Sequence, residues 1–199
     1  MSKTDITFVN HYFDQIENTS QNLNKKKLVE LVKNLASLKK RKGRLFFLGV
    51  GGSAGNCSHA VNDFRKLCNL ESYSPLDNVS ELTARINDEG WDNSLKDWLI
   101  ASNLKKEDAL FIFSVGGGNK KKKISTNLIK AIDHAKKIKS KIFGIVGRTD
   151  GYLYRKADTV INIPYKDSKL ITPLSESFQA VVWHFLVSHP LLKKNKTKW

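Results

Sequence analysis

His59 and Asp63 stand four residues apart in a polar, helix-compatible segment, and Glu176 and His184 stand eight apart in a second one. Four residues place two side chains on one face of a helix, and eight residues return to a similar face about two turns later. If both helices border one cleft, two imidazoles and two carboxylates meet there. Such a set can pass protons to and from a substrate, and it also suits a zinc ion. Each residue alone has an ordinary structural reading. A lone His or Asp on a helix is commonly a surface or satisfied core group, and Glu176 fits a first-turn acid that favours a helix N-terminus. The set gains weight from the loops that precede it.

Phe46-Phe47-Leu48 is an apolar run that stops abruptly at Gly49-Val50-Gly51-Gly52-Ser53-Ala54-Gly55-Asn56. A strand that ends in a small-residue loop and opens a helix makes a cradle for a phosphate group. Backbone N–H groups converge there, and the helix N-terminus adds a positive dipole end. A second loop of the same kind, Ser114-Val115-Gly116-Gly117-Gly118-Asn119, follows Phe111-Ile112-Phe113. A third, Gly147-Arg148-Thr149-Asp150-Gly151, follows Ile145-Val146. One glycine loop serves any tight turn, whereas two glycine-and-serine loops directly after buried strands say more. Neither has the dinucleotide pattern with its acidic residue at the next strand end, and neither has the Gly-Lys-Ser/Thr of a triphosphate loop. A small phosphate monoester fits better than a nucleotide.

The elements that must hold these loops are short apolar runs at 44–50, 109–115, 141–147 and 159–164, with one more short strand expected within 69–75. Helical segments fall between them at about 54–68, 79–87, 92–103, 122–138 and 174–188. Continuous apolar strands alternating with helices imply an α/β fold with a parallel sheet covered on both faces, and loops at the carboxyl ends of its strands form the site. Ahead of the first strand, Ile6, Val9, Tyr12, Phe13 and Ile16 form one helical stripe and Leu28, Leu31, Val32 and Leu35 a second. A break is expected near 17–20, and Gly43 ends the region. The chain divides into an N-terminal helical region over 1–43, expected to serve oligomerisation, a catalytic domain over 44–190, and a basic tail over 191–199.

Composition narrows the function classes. The chain has 199 residues, enough for one domain with a full core, and a formal charge of +15. Its lysines are scattered through 25–27, 39–42, 120–123 and the tail, and no nucleic-acid module accompanies them. A solvated basic surface that favours anionic substrates is therefore the reading, with no nucleic-acid partner expected. No stretch of eighteen apolar residues occurs and the N-terminus lacks an apolar signal core, so no membrane segment is expected. Cys57 and Cys68 lie on one helical segment, three turns and about 16 Å of rise apart. They are too far apart to bridge within that helix, and free thiols in a cytoplasmic protein are expected.

These residues resemble the SIS (sugar isomerase) family, and within it the phosphoheptose isomerases, over nearly the whole chain. The resemblance rests on the long N-terminal helical region, the Gly-Gly-Ser loop with His59, Asn87-Asp88, the Ser114 loop, and Thr172-Pro173 at the start of the last helix. It implies a single domain with a five-stranded parallel sheet flanked by helices and an N-terminal helical extension. It also implies a homotetramer with sites shared between subunits. The implied activity interconverts sedoheptulose 7-phosphate and a D-glycero-manno-heptose 7-phosphate through an enediol, in the synthesis of lipopolysaccharide or capsule heptose. Carried over by position, the catalytic residues are Asp63, His184 and Glu176. Zn2+ falls to His59, Asp63, Glu176 and His184. The substrate and its phosphate fall to Gly51, Gly52, Ser53, Asn87, Asp88, Ser114, Gly116, Gly117, Asn119, Thr172 and Gln179. This sequence departs from the family at Asp63, which stands for the usual Glu, and at Glu176, which stands for the usual Gln. The second loop also departs from the family's Ser-x-Ser-Gly-x-Ser, with Lys120 to Ser125 resembling a short insertion. An isomerase of another sugar phosphate and a non-catalytic sugar-phosphate-binding SIS protein are the alternatives.

Overall fold

The apolar runs become five parallel strands in the computed structural model, which describes residues 3–197. They are β1 (Leu45–Leu48), β2 (Ser72–Tyr73), β3 (Ala109–Ser114), β4 (Lys141–Val146) and β5 (Thr159–Asn162), in the order β2-β1-β3-β4-β5. Every residue of β1 and β3 is buried, because helices cover both faces and a parallel sheet has no wet side. The strand period of two sorts these side chains. Phe47, Phe111, Phe113, Phe143 and Ile145 point to one core, and Phe46, Leu48, Leu110, Ile112 and Ile142 to the other.

The first core is closed by α2 (Lys25–Lys40), α3 (Gly52–Cys68) and α8 (Ile171–Ser188), and the second by α5 (Ser94–Ala101), α6 (Thr126–Ile138) and α7 (Tyr152–Lys156). Two further helices, α1 (Lys3–Asn22) and α4 (Val79–Glu89), complete the α-helices among the described residues. α7 lies where the sequence suggested only loop: five residues carry too little periodicity to be seen. Residues 1–2 of the expected N-terminal region and 198–199 of the expected tail lie outside the described residues.

The break between the first two helices falls at Leu23-Asn24, not at 17–20 as expected. Thr19 lies inside α1, and its buried hydroxyl donates to the Pro164 carbonyl at 2.9 Å. Asn24 ends the run because its side chain accepts from the Lys27 N–H, capping α2. The segment expected to be helical from 122 starts only at Thr126. Asn119 and Ile124 form an antiparallel bridge, so Lys120 to Lys123 are spent on the turn between them. No helix among the described residues is long and apolar enough to cross a membrane.

Candidate active site

α3, which opens directly after β1, packs side by side with α8, and the candidate site lies along their seam. The approach to α3 is set by two glycines. A Cβ on Gly49 would meet the Ser53 carbonyl oxygen at 2.6 Å, and Gly51 has φ +64°, a left-handed conformation that suits glycine. The chain can therefore fold tightly from β1 into the helix. The first N–H groups of a helix have no intrahelical partner, so the exposed backbone at Gly51 and Gly52 presents donors with a positive dipole end behind them.

Down the seam the two helices are bonded rung by rung. The Gln179 amide donates to Ser53 Oγ at 2.9 Å and its oxygen accepts from the Asn56 amide at 2.7 Å. Asn56 also donates to the Glu176 carbonyl at 2.9 Å. Gln179 and Ser53 are fully enclosed here. The expected ligand residues Ser53 and Gln179 thus bond each other across the seam, and the backbone of the loop is what faces outward.

One turn further along, His59, Asp63 and His184 converge. His59 Nε2 and His184 Nε2 each lie 3.5 Å from Asp63 Oδ2. One ligand atom from each of the three lies within 4.8 Å of the other two. The Asp63 side chain is 12% exposed beneath two half-exposed imidazoles. Both of its oxygens are held: Oδ1 accepts from the Asn62 amide at 3.1 Å and Oδ2 from the Trp183 indole N–H at 3.1 Å. His184 Nδ1 lies 2.9 Å from the Ala180 carbonyl oxygen, which can only accept. Nδ1 therefore carries the proton, and in the neutral ring Nε2 keeps its lone pair.

The structure does not bring Glu176 into this group, which corrects the expected set of four. Eight residues are about 12 Å of helix rise, so Glu176 sits near the start of α8 while His184 sits far along it. Its carboxylate lies over the first turn of α3, where a Cβ on Gly52 would fall 2.5 Å from Oε2. Two imidazoles and a carboxylate remain. That donor set suits zinc with an open position, and each His–Asp separation is close to the spacing that ligands around one small ion require.

The other expected contacts divide between loop and surface. Ser114 Oγ accepts from Gly117 N–H at 3.0 Å and so braces its own loop. That loop is stitched to the third one, since Val115 O accepts from the Gly147 and Arg148 N–H groups and Gly117 O from Leu153 N–H. Gly116 and Asn119 line a small cavity of about 150 Å³ with Lys122, Arg148 and Asp150. Arg148 is paired with Asp150 at 2.7 Å, and the guanidinium keeps that carboxyl below its ordinary range. Asn87 and Asp88 lie exposed in the last turn of α4, bonded to each other at 2.7 Å. Thr172 is exposed in the first turn of α8.

Sequence reasoning passed over Asn56 and Trp183. Asn56 follows Ser53 by three residues and shares its face. Trp183, in an apolar stripe of the last helix, is core at 1% exposure. The signal available was that a buried indole N–H needs an acceptor.

Residues 11–147 match the SIS domain family. The chain belongs to that family. Among its relatives, the lincomycin biosynthesis protein LmbN of Streptomyces lincolnensis is 32% identical over 158 residues, which cover 74% of this chain. The chain spans 56% of that protein's length. A phosphoheptose isomerase of Helicobacter pylori is 27% identical over 149 residues, covering 72% of each chain. Among solved structures, a phosphoheptose isomerase from Francisella tularensis superposes with a TM-score of 0.79 at 19% identity, covering 94% of this chain and 97% of that one. The chain is thus a SIS-domain relative of the phosphoheptose isomerases, with their five-stranded parallel sheet and helical N-terminus.

Proposed function

We propose that this protein is an aldose–ketose isomerase that converts sedoheptulose 7-phosphate to a D-glycero-manno-heptose 7-phosphate, in the synthesis of surface-polysaccharide heptose. The observation that carries the reading is the convergence of His59 and His184 on Asp63 at the seam of α3 and α8. The phosphoheptose isomerase relatives support the substrate class.

The reaction moves one proton between adjacent carbons and one between their oxygens, with no net redox change. It needs a base at the carbon beside the carbonyl, a proton shuttle, and a group that steadies the enediolate. His184 Nε2 has the accessible lone pair, and Asp63 is the charge beneath it that steadies an imidazolium. Asp63 itself is a poor candidate for direct abstraction, because both of its oxygens are engaged. The exposed turn at Gly51 and Gly52 binds the phosphate or the hydroxyl-bearing end, and Glu176 beside it contacts substrate hydroxyls. The same Nε2 lone pairs would instead serve a zinc ion if His59, Asp63 and His184 held one, and the ion would then polarise the substrate carbonyl in place of the imidazole's proton transfer.

The apolar residues Ile6, Phe8, Val9 and Phe13 stand exposed along α1, and Val181 and Phe185 flank His184 on α8. Such faces favour an assembly of several copies, with residues 1–43 as the oligomerisation region, 44–190 as the catalytic domain and a basic tail after it. The buried free thiols fit a reducing cytoplasm.

The test is turnover of sedoheptulose 7-phosphate, with and without a chelator. Product formation with exchange of the substrate C–H proton into solvent is the expected result. Loss of both on chelation assigns the Nε2 lone pairs to a metal, and retention assigns them to proton transfer. No product and no exchange, before and after supplying zinc, would defeat the proposal.

A further inference from the structure

We propose that Trp183 is a positioning residue whose indole N–H fixes the Asp63 oxygen shared by the two imidazoles. The inference rests on the proposed role of the His59–Asp63–His184 group and adds to it a side chain that touches all three. Asp63 Oδ2 is the oxygen 3.5 Å from both Nε2 atoms, and the same oxygen accepts from Trp183 Nε1 at 3.1 Å. The ring centroid of Trp183 lies 5.3 Å from that of His59 and 4.9 Å from that of His184. Beneath, the indole stacks on Phe113 at 6.0 Å with an interplanar angle of 12°, so it is anchored to the end of β3.

The physical argument concerns an oxygen with little freedom. Aspartate has a short stem, and its Oδ1 is already engaged by Asn62. Rotating the carboxylate would break the indole bond and leave a buried N–H unpaired, which is unfavourable. The indole therefore holds Oδ2 at the point where both imidazoles meet it. Partners of this kind, one layer behind the reacting or ligating groups, tune affinity and activity by about 10–100-fold when removed.

Trp183→Phe keeps an aromatic ring on Phe113 and removes the donor. Two readouts separate positioning from plain packing. Co2+ affinity, measured by chelator competition on the metal-free protein, should fall about 10-fold or more. kcat for sedoheptulose 7-phosphate should fall by a similar factor while KM stays within about twofold. A residue that only packs would lower the melting temperature and leave both values, per folded molecule, unchanged. Both values within about twofold of wild type would overturn the proposal.

A third measurement needs neither metal, activity nor a folded Trp183→Phe protein. In a proton–nitrogen spectrum the Trp183 indole resonance, recognised by its contacts to the Phe113 ring, should shift and exchange faster in Asp63→Ala. The resonances of Trp91 and Trp98 should stay in place. An unmoved Trp183 resonance overturns the positioning role on its own. A wild-type protein that neither binds Co2+ nor turns over defeats the proposed function instead, and the indole resonance then decides the positioning.

Discussion

Replacing Asp63 by Asn separates the charge of this group from its shape. The amide is nearly isosteric with the carboxylate, so the helix seam should survive. The structural cost can be counted. Oδ1 of Asp63 accepts from Asn62 and Oδ2 from Trp183, so both positions require acceptors. An amide offers one oxygen, so one of the two bonds is lost. That costs about 1 kcal/mol, or about 2–4 °C in melting temperature for a chain of this size. The catalytic cost is far larger. Removing the charge beneath His184 withdraws the acid–base contribution, worth about 10²–10⁴-fold, or roughly 3–5 kcal/mol of barrier. The assay follows sedoheptulose 7-phosphate turnover and solvent exchange of its C–H proton, beside a thermal melt. Asp63→Asn should lose kcat by at least about 100-fold while still binding sugar phosphate and melting within a few degrees of wild type. Turnover within about threefold of wild type would refute the assignment of Asp63, whatever the melting temperature.

Gln179→Leu should strand the buried Ser53 hydroxyl and take one of its two acceptors from the Asn56 amide, lowering stability by about 1–3 kcal/mol for the unpaired hydroxyl. A urea unfolding midpoint unchanged from wild type would show that the seam is not held by this network. Asp108 is buried, which by itself would raise its pKa. Its bonds to the Arg44 side chain and to the Arg44 and Lys105 N–H groups outweigh that and hold the carboxyl below its ordinary range. A carboxyl with a lowered pKa in the folded state adds stability above its unfolded pKa and loses it as pH falls through the folded one. Asp108→Asn should therefore destabilise at neutral pH and flatten the loss of stability below about pH 4, seen by repeating the unfolding at a series of acid pH values. Burial pushes the Cys57 thiol well up and the Cys68 thiol up to about 11. Neither should react with a thiol reagent in the native state at pH 8, and both should react once urea unfolds the chain. Rapid native labelling of either would contradict the packing around α3.

The strands and most helices were legible because their signals are local. Phe46-Phe47-Leu48 and Leu110-Phe111-Ile112-Phe113 are apolar on both alternating faces, a pattern that suits a strand buried from both sides. Asn24 shows why boundaries were harder to place. Four polar residues at 17–20 looked like an end of helix, yet Thr19 found its partner at Pro164, 145 residues away. No local pattern carries that bond. α7 was missed for a related reason: its start is braced by the Tyr152 and Leu153 N–H groups donating to the Gly118 and Gly117 carbonyls rather than by periodicity of its own.

The sequence by itself determined the chemistry on offer: glycine loops after buried strands, a His and an Asp one turn apart on α3, and a His on the last helix. It did so because residue type and helical spacing are one-dimensional facts. Only the tertiary structure decided which of those groups meet. The way α3 and α8 run side by side sends Glu176 to Gly52 and His184 to Asp63, although eight residues on one helix face had suggested that both would reach the same point. It also turned Gln179 and Ser53 toward each other and gave a core tryptophan's N–H to the one carboxylate oxygen that both imidazoles share. Those outcomes depend on the axial offset between two packed helices, a distance that no spacing within either helix contains.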